Sequence, residues 1–167
     1  MVADELAERW SLGRERTRFK GRLAEGRLPA STWAGEQGPS PRVALLRPET
    51  FMNDAGRSVG PARGHFKLPL ERLLVIHDEI DLPFGEVRTR RGGGLAGHNG
   101  LRSLKGALGG TDFWRVRLGV GRPPSTDPEI VASYVLAPFA EPPAEVRELI
   151  ARGCEAAERV ILEEGGS

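Results

Sequence analysis

The sequence predicts a three-layer α/β fold in a single domain. Residues 72–77, "RLLVIH", form an apolar run of strand length without polar alternation, which is typical of a strand covered on both faces. Such segments alternate along the chain with amphipathic helical segments, an order that places helices on the faces of a sheet. The 167 residues contain no internal repeat and no long linker, so we assign residues 1–167 to one domain.

The N-terminal part predicts a helix followed by two strands. Val2, Leu6 and Trp10 recur at a spacing of four residues with charged residues between them, which predicts a short amphipathic helix that stops near Gly13. Residues 19–23 and 43–46 have strand character. The segment between them is rich in Gly, Pro, Ser and Ala, so we expect a loose hairpin or a long loop there.

The stretch "RPETFMNDAG" marks a change from strand to helix. Pro48 ends the second strand, and a helix is predicted over residues 55–66. Asn53 or Asp54 can cap this helix, because their side-chain oxygens accept hydrogen bonds from the free N–H groups of a first turn. Pro61 falls in the middle of the predicted helix.

The apolar run at residues 72–77 leads into a polar segment. Its carboxyl end delivers His77, Asp78, Glu79 and Asp81. In open α/β sheets, ligands collect outside the carboxyl ends of such strands. The sequence therefore predicts a functional site at this point.

Two further strands carry arginines at alternate positions. Arg88 and Arg90 share one face of "EVRTRR", and Arg115 and Arg117 share one face of "FWRVRLGVG". We expect the second pair to extend the basic face that the first pair begins.

A glycine run separates these two strands, and a helix follows it. The helix is predicted to begin near Asn99, so its free N–H groups and dipole would point at whatever occupies the glycine loop. A C-terminal helix is predicted over residues 145–162 from apolar residues at helical spacing.

Charge is distributed unevenly along the chain. The sequence has 24 Lys plus Arg against 23 Asp plus Glu, a net charge of +1, yet residues 85–122 hold eight basic residues and two acids. Residues 125–167 hold nine acids and three arginines. The basic region favours an anionic partner, and the alternative is a solvated surface on which charges happen to cluster.

The cysteine content and the N-terminus indicate a cellular compartment. A single cysteine, Cys154, excludes an internal disulfide framework and is compatible with a reducing cytosol. The opening "MVADELAERW" has no signal-peptide core, and no apolar run is long enough to span a bilayer. We therefore predict a cytoplasmic protein without membrane attachment.

Four polar residues are candidates for chemistry: Asn53, Asp78, His98 and Asn99. An aspartate at the end of a buried strand can orient an imidazole and stabilise its protonated form. The two asparagine amides can donate to an oxyanion without titrating, and His98 is a candidate general base. Each also has a plain structural explanation, since Asp is common in turns and Asn in helix caps.

The sequence lacks the common metal and nucleotide motifs. HExxH and Cys-His ligand sets are absent, and Asp78 and Asp81 have no matching acid pair for a two-metal site. GxSxG and Walker motifs are also absent, and "GGGLAG" does not have the glycine spacing of dinucleotide folds. These absences argue against a two-metal site and against a dinucleotide cofactor.

Four blocks of the sequence, taken together, are similar to one known family. The blocks "RPETFMNDAG", "LLVIHDEIDLPFGEVRTRRGGGLAGHNGLRSL", "FWRVRLGVGRP" and "YVLAPF", in this order and spacing, closely resemble the bacterial peptidyl-tRNA hydrolases. They cover most of residues 43–139.

The resemblance implies a carboxylic ester hydrolase that needs neither a metal nor a cofactor. Such an enzyme cleaves the ester between a peptidyl group and the 3′-terminal ribose of tRNA, which releases peptide and free tRNA for recycling after stalled translation. The resemblance also implies a cytoplasmic monomer built on a twisted mixed β-sheet flanked by helices, with the tRNA acceptor stem and 3′ end as its partner.

The resemblance assigns catalytic roles to three residues. Asn53 resembles the asparagine that positions the substrate and stabilises the oxyanion. Asp78 resembles the acid that holds the catalytic imidazole. Asn99 in "GHNG" resembles the asparagine that binds the 3′ end.

The resemblance also implies binding roles around these three residues. Phe51 and Met52 would line the cleft for the 3′ end and the peptide, with His98 beside them. Arg90 and Arg117 fall where family members place cations that clamp tRNA phosphates.

The chain departs from the family pattern in three places. Family members carry "GLGNPG" in a first strand and then "TRHN", whose histidine is the general base, and neither motif is present here. Because "MVADELAERW" resembles the helix that follows those motifs, we expect Met1 to be an internal methionine of a longer gene product. Leu95 stands where the family has a histidine, and the chain ends before the family's basic tail.

Two other functions remain open at this point. A non-catalytic tRNA- or RNA-binding domain of the same fold would keep the basic face and is favoured by the absent histidine, unless His98 replaces it. Asp78 favours the enzyme, because a pure RNA-binding domain does not need that acid. An esterase of another small ester is the third possibility, and the arginines and the missing serine motif argue against it.

Overall fold

Five helices and six strands are present in the described residues of the computed structural model, which are 1–33, 38–93, 99–122 and 139–165. In chain order they are α1 (Val2–Arg9), β1 (Arg16–Arg18), β2 (Gly21–Arg27), α2 (Ala30–Trp33), β3 (Arg42–Pro48), α3 (Gly56–Phe66), β4 (Leu74–Glu79), β5 (Val87–Arg91), α4 (Asn99–Leu108), β6 (Trp114–Gly119) and α5 (Pro143–Gly165). Short 3₁₀ turns occupy Met52–Asp54 and Leu70–Arg72.

The C-terminal strands form a mixed sheet between two layers of helices. The strand order is β4-β6-β5, with β4 parallel and β5 antiparallel to β6. Leu73 and Val75 pack against the apolar side of α4, whereas Leu74 and Ile76 pack against a cluster built from α1 and α5. This alternation confirms the predicted three-layer α/β arrangement.

The N-terminal strands form a second, antiparallel sheet in the order β1-β2-β3. Phe19 and Lys20 connect β1 to β2 with φ angles of 54° and 53°, as two-residue hairpin turns require. The predicted strand over residues 19–23 is therefore wrong at its start, because the Phe19 ring leaves the strand to pack on His65 and Phe66 of α3. β2 also continues to Arg27, well into the predicted loop.

Helix α3 begins without a capping side chain on its own flank. Asn53 and Asp54 lie in the preceding 3₁₀ turn, so the cap position falls on Ala55. The predicted cap is wrong for this reason. The helix continues past Pro61 to Phe66.

A cleft separates the two sheets. Within the described part of the chain, β3 pairs with no strand other than β2, and β4 with none other than β6. Two cavities, of about 550 and 590 Å³, lie between the facing edges and share Ala44, Leu45, Leu74 and Ile76 in their walls. We call this space the inter-sheet cleft.

The inter-sheet cleft changes the burial of β4. Leu74, Val75 and Ile76 are only half-buried although helices cover both faces of their sheet. The predicted full burial of this strand is wrong, because its free edge faces the cleft. None of the described helices is long and apolar enough to cross a membrane.

Candidate active site

One end of the inter-sheet cleft gathers residues from three separate segments. The cavity of about 550 Å³ is lined by Phe51 and Met52 after β3, by His77 and Asp78 at the end of β4, and by Gly100 in the first turn of α4. The segments meet because β3 and β4 both direct their carboxyl ends to this edge. It is the edge at which the sequence predicts a site.

Phe51 and Met52 present large apolar side chains to solvent at the mouth of the cavity. They are 83% and 55% exposed. Burying such side chains against a ligand removes apolar surface from water, which is worth about 25 cal/mol per Å². The structure therefore offers an apolar contact surface where the sequence predicts one.

The two asparagines flank this cavity. Asn53 is exposed in the 3₁₀ turn directly after Met52. Asn99 is the first residue of α4 and precedes Gly100 in the cavity wall. His98 and Leu95 lie outside the described residues.

The imidazole of His77 contacts the backbone of Asp78, the next residue of β4. His77 is buried in β4, and its Nδ1 lies 2.8 Å from the backbone oxygen of Asp78. A carbonyl oxygen only accepts, so Nδ1 carries the proton in this contact. The sequence indicates His77 as a titratable group at the strand end but gives it no role.

Four arginines face one another across β5 and β6. The register places Arg88 opposite Arg117 and Arg90 opposite Arg115, which confirms the predicted alternation. We call these four residues the arginine ladder. Like charges directly opposite one another destabilise a sheet. Glu86 and Glu79 offset part of this repulsion by pairing with Arg88 and Arg117, and a negatively charged ligand would offset the rest.

The members of the arginine ladder differ in burial. Arg117 is 18% exposed, and its Nε and Nη2 lie 3.2 and 3.0 Å from Oε1 of Glu79. Arg115 is 2% exposed. Burial lowers the pKa of Arg115, and the nearby charges of Arg117 and Arg90 lower it further. The prediction that Arg115 extends an open basic face is wrong, because its side chain points beneath the start of the glycine loop.

Arg115 holds the start of that loop. Nη2 of Arg115 donates to the backbone oxygen of Gly92 at 3.2 Å. Gly92 and Gly93 have φ angles of 68° and 87°, which favour glycine. The guanidinium of Arg90 lies close to Gly93, so a side chain at Gly93 would displace the end of the Arg90 side chain.

Sequence reasoning missed the structural roles of Glu79 and Arg115. Alternation finds the face on which each side chain lies, but it does not show which arginine is buried.

Among the described residues, no group of three or more His, Cys, Asp or Glu side chains could hold a metal ion.

These features define an α/β protein with a basic sheet face beside an apolar cleft. The model of the peptidyl-tRNA hydrolase family matches residues 1–166. The chain belongs to the peptidyl-tRNA hydrolase family.

Individual relatives agree with this assignment. A peptidyl-tRNA hydrolase of Azorhizobium caulinodans is 45% identical over 154 residues, which are 92% of this chain and 69% of that protein. One of Gloeobacter violaceus is 42% identical over 166 residues, which are 99% of this chain and 78% of that protein. A crystal structure of peptidyl-tRNA hydrolase from Acinetobacter baumannii superimposes with a TM-score of 0.78 at 30% identity, over 98% of this chain and 77% of that one.

The comparisons confirm the predicted fold class and the predicted reaction. The chain has the α/β fold of the solved peptidyl-tRNA hydrolase. Its activity is hydrolysis of the ester bond of peptidyl-tRNA, an enzymatic function in translation.

Proposed function

We propose that the ester is cleaved at the end of the inter-sheet cleft lined by Phe51, Met52 and Asp78, and that Arg90 and Arg117 of the arginine ladder hold phosphates of the acceptor stem. The observation that carries this proposal is the convergence of β3, β4 and α4 on one cavity. We also propose that the chain acts as a cytoplasmic monomer without a metal or a cofactor.

The protein must assist three events in the reaction. Water attacks the ester carbonyl carbon, the carbonyl oxygen becomes an oxyanion, and the 3′ oxygen of the ribose leaves with a proton. The amide N–H groups of Asn53 stabilise the oxyanion, because they donate hydrogen bonds where negative charge develops. Asp78 orients the imidazole that takes the proton of the attacking water and passes it to the leaving 3′ oxygen. The family's histidine for this step is not among residues 1–167, and His98 is the candidate base that this sequence offers. Asn99 binds the 3′-terminal nucleotide.

Binding uses the remaining residues of the cleft and the ladder. Phe51 stacks on a base of the single-stranded 3′ end, and Met52 and His98 contact the end of the substrate that carries the peptide. Arg90 contacts a phosphate from the open end of the arginine ladder. Arg117 presents its remaining N–H groups in a fixed direction because Glu79 holds its guanidinium.

Single-turnover cleavage of N-acetyl-aminoacyl-tRNA tests the assignment of Asp78. The variant Asp78→Asn is expected to lose at least about a hundredfold in rate, the usual size of acid–base assistance, while tRNA affinity stays within about twofold. Asp81→Asn is the matched control, since this carboxylate lies three residues further on and pairs with Arg122 at the surface. The Acinetobacter baumannii enzyme serves as the positive control.

A binding domain without activity would give a different result. In that case this chain would bind tRNA with a steep salt dependence but would not cleave it, and Asp78→Asn would change neither property. Equal rates for Asp78→Asn and Asp81→Asn in an active chain would instead remove Asp78 from the mechanism.

A further inference from the structure

Helices α3 and α4 touch at Gly56 without room for a side chain. A Cβ atom added to Gly56 would lie 2.5 Å from the backbone oxygen of Ser103, 2.7 Å from Cβ of Ala107 and 3.0 Å from Oγ of Ser103. Cβ atoms in proteins essentially never come closer than 3.0 Å to another heavy atom. The backbone oxygen of Ser103 and Cβ of Ala107 have little freedom to move away. We call this contact the α3–α4 seam.

A hydrogen bond closes the α3–α4 seam. The backbone N–H of Gly56 donates to Oγ of Ser103 at 2.8 Å. The first N–H groups of a helix have no partner within the helix, and Ala55 in the cap position has no side-chain oxygen to supply one. Ser103 therefore provides from α4 the cap that α3 lacks on its own flank.

The α3–α4 seam joins the two segments that carry the asparagines. Asn53 lies three residues before Gly56, in the 3₁₀ turn that packs beside α4. Ser103 lies one helical turn after Asn99, the first residue of α4. A change in the spacing of the two helices at Gly56 therefore changes the spacing of these two segments.

We propose that Gly56 and Ser103 are positioning residues for the hydrolysis of peptidyl-tRNA. They fix the distance between the turn that carries Asn53 and the start of α4, and thereby the geometry of the oxyanion and 3′-end contacts. This inference rests on the roles proposed above for Asn53 and Asn99. A displacement of a reacting group by about 1 Å can cost a hundredfold in rate.

The main test compares Gly56→Ala with Gly60→Ala. Gly60 lies one turn further along α3, and a Cβ there would meet Cβ of Ala107 at 3.5 Å, an ordinary contact. At a temperature where both variants are folded, Gly56→Ala is expected to lower the single-turnover rate about a hundredfold, with tRNA affinity within about twofold. Gly60→Ala is expected to keep the parental rate.

A spectroscopic readout tests the α3–α4 seam without relying on activity. The chain contains two asparagines and one glutamine, so a ¹H–¹⁵N spectrum shows only three pairs of side-chain amide signals. Gly56→Ala is expected to shift the signals of Asn53 and Asn99 but not that of Gln37, and Gly60→Ala to shift none. A parental chain that does not cleave would refute the proposed function, while this spectrum would still test the seam.

Ser103 provides a second pair of variants in case Gly56→Ala does not fold. Ser103→Ala removes the acceptor and is expected to lower the rate at least tenfold, whereas Ser103→Thr keeps a hydroxyl and is expected to recover most of it. Folded variants that keep both the parental rate and the parental asparagine signals would overturn the proposal. A purely structural role would lower the melting temperature and leave these two properties unchanged.

Discussion

The inter-sheet cleft and the α3–α4 seam border the same site and are packed in opposite ways. The cleft contains cavities of about 550 and 590 Å³, and the β4 side chains along it are half-buried. At the seam a single added methyl group at Gly56 would collide with the backbone of α4. The cleft has room for additional atoms, whereas the seam has no room for one added carbon atom.

This difference determines which boundary can fix the geometry of the site. An apolar space with half-buried walls leaves room for its lining residues to shift. Close-packed interiors transmit small displacements, because they have no free volume in which to absorb them. We infer that the seam, rather than the cleft, sets the catalytic geometry.

Removing a leucine side chain should cost far more near the seam than at the cleft. Leu108 of α4 packs in a buried cluster with Leu101, Leu104 and Phe113, so Leu108→Ala is expected to lower the free energy of unfolding by about 2–5 kcal/mol. Leu45→Ala at the edge of the cleft should cost less than about 1.5 kcal/mol, because its side chain is half-buried beside an existing cavity. Urea unfolding of both variants measures the difference, and equal losses would show that the cleft is packed like the core.

Enlarging the same two side chains should give a smaller difference in stability between the two variants. Leu108→Phe overpacks a closed cluster and is expected to cost about 1–3 kcal/mol. Leu45→Phe can place its ring in the cavities that Leu45 already lines, so we expect a change below about 1 kcal/mol. Melting temperatures of the two variants, measured side by side, test this. A loss at Leu45→Phe as large as that at Leu108→Phe would mean that the cleft is not open.

Local sequence patterns predicted the parts of the fold that depend on neighbouring residues. The spacing of Val2, Leu6 and Trp10 gave α1, in which Leu6 is fully buried. Alternation gave the shared faces of Arg88 with Arg90 and of Arg115 with Arg117, and the strand register confirmed them. These patterns are direct consequences of helix and strand geometry.

Contacts between distant residues could not be predicted in this way. Gly56 and Ser103 are 47 positions apart, and nothing near Gly56 in the sequence shows that its cap comes from α4. Phe19 occupies a turn position with positive φ, which is strained for an aromatic residue, and its packing on His65 and Phe66 offsets that strain. An apolar run such as "LLVI" also does not show that one edge of the strand faces a cleft.

Function was predicted from the order of the motifs rather than from physical patterns. Asn53, Asp78 and Asn99 are each weak candidates alone, since caps and turns use the same residues. Asp78 and the neighbours of the two asparagines, Met52 and Gly100, line one cavity, which could be seen only when β3, β4 and α4 were placed in space. The roles of these residues remain predictions, and the cleavage measurements above test them.

Cys154 provides a test of whether the inter-sheet cleft reaches into the core. It is fully buried in the cluster against which Leu45 and Leu74 pack, and burial raises the pKa of its thiol to about 11. A thiol whose pKa is higher in the folded chain stabilises the fold below its ordinary pKa near 9, and that contribution is lost as the pH rises towards 11. Between pH 8 and pH 10 the free energy of unfolding should therefore fall by about 1 kcal/mol more in the parental chain than in Cys154→Ala.

Thiol labelling at pH 8 provides the independent check on Cys154. The folded chain is expected to leave the thiol unreacted, and urea-unfolded chain to react fully, because only the thiolate attacks the reagent and only unfolding exposes it. Rapid labelling of the folded chain, together with equal pH dependence of the two proteins, would show that water passes from the cleft to Cys154. Water would then reach the α1–α5 side of the core through the cleft. Close packing like that of the α3–α4 seam would be limited to α3, α4 and the face of the sheet that they cover.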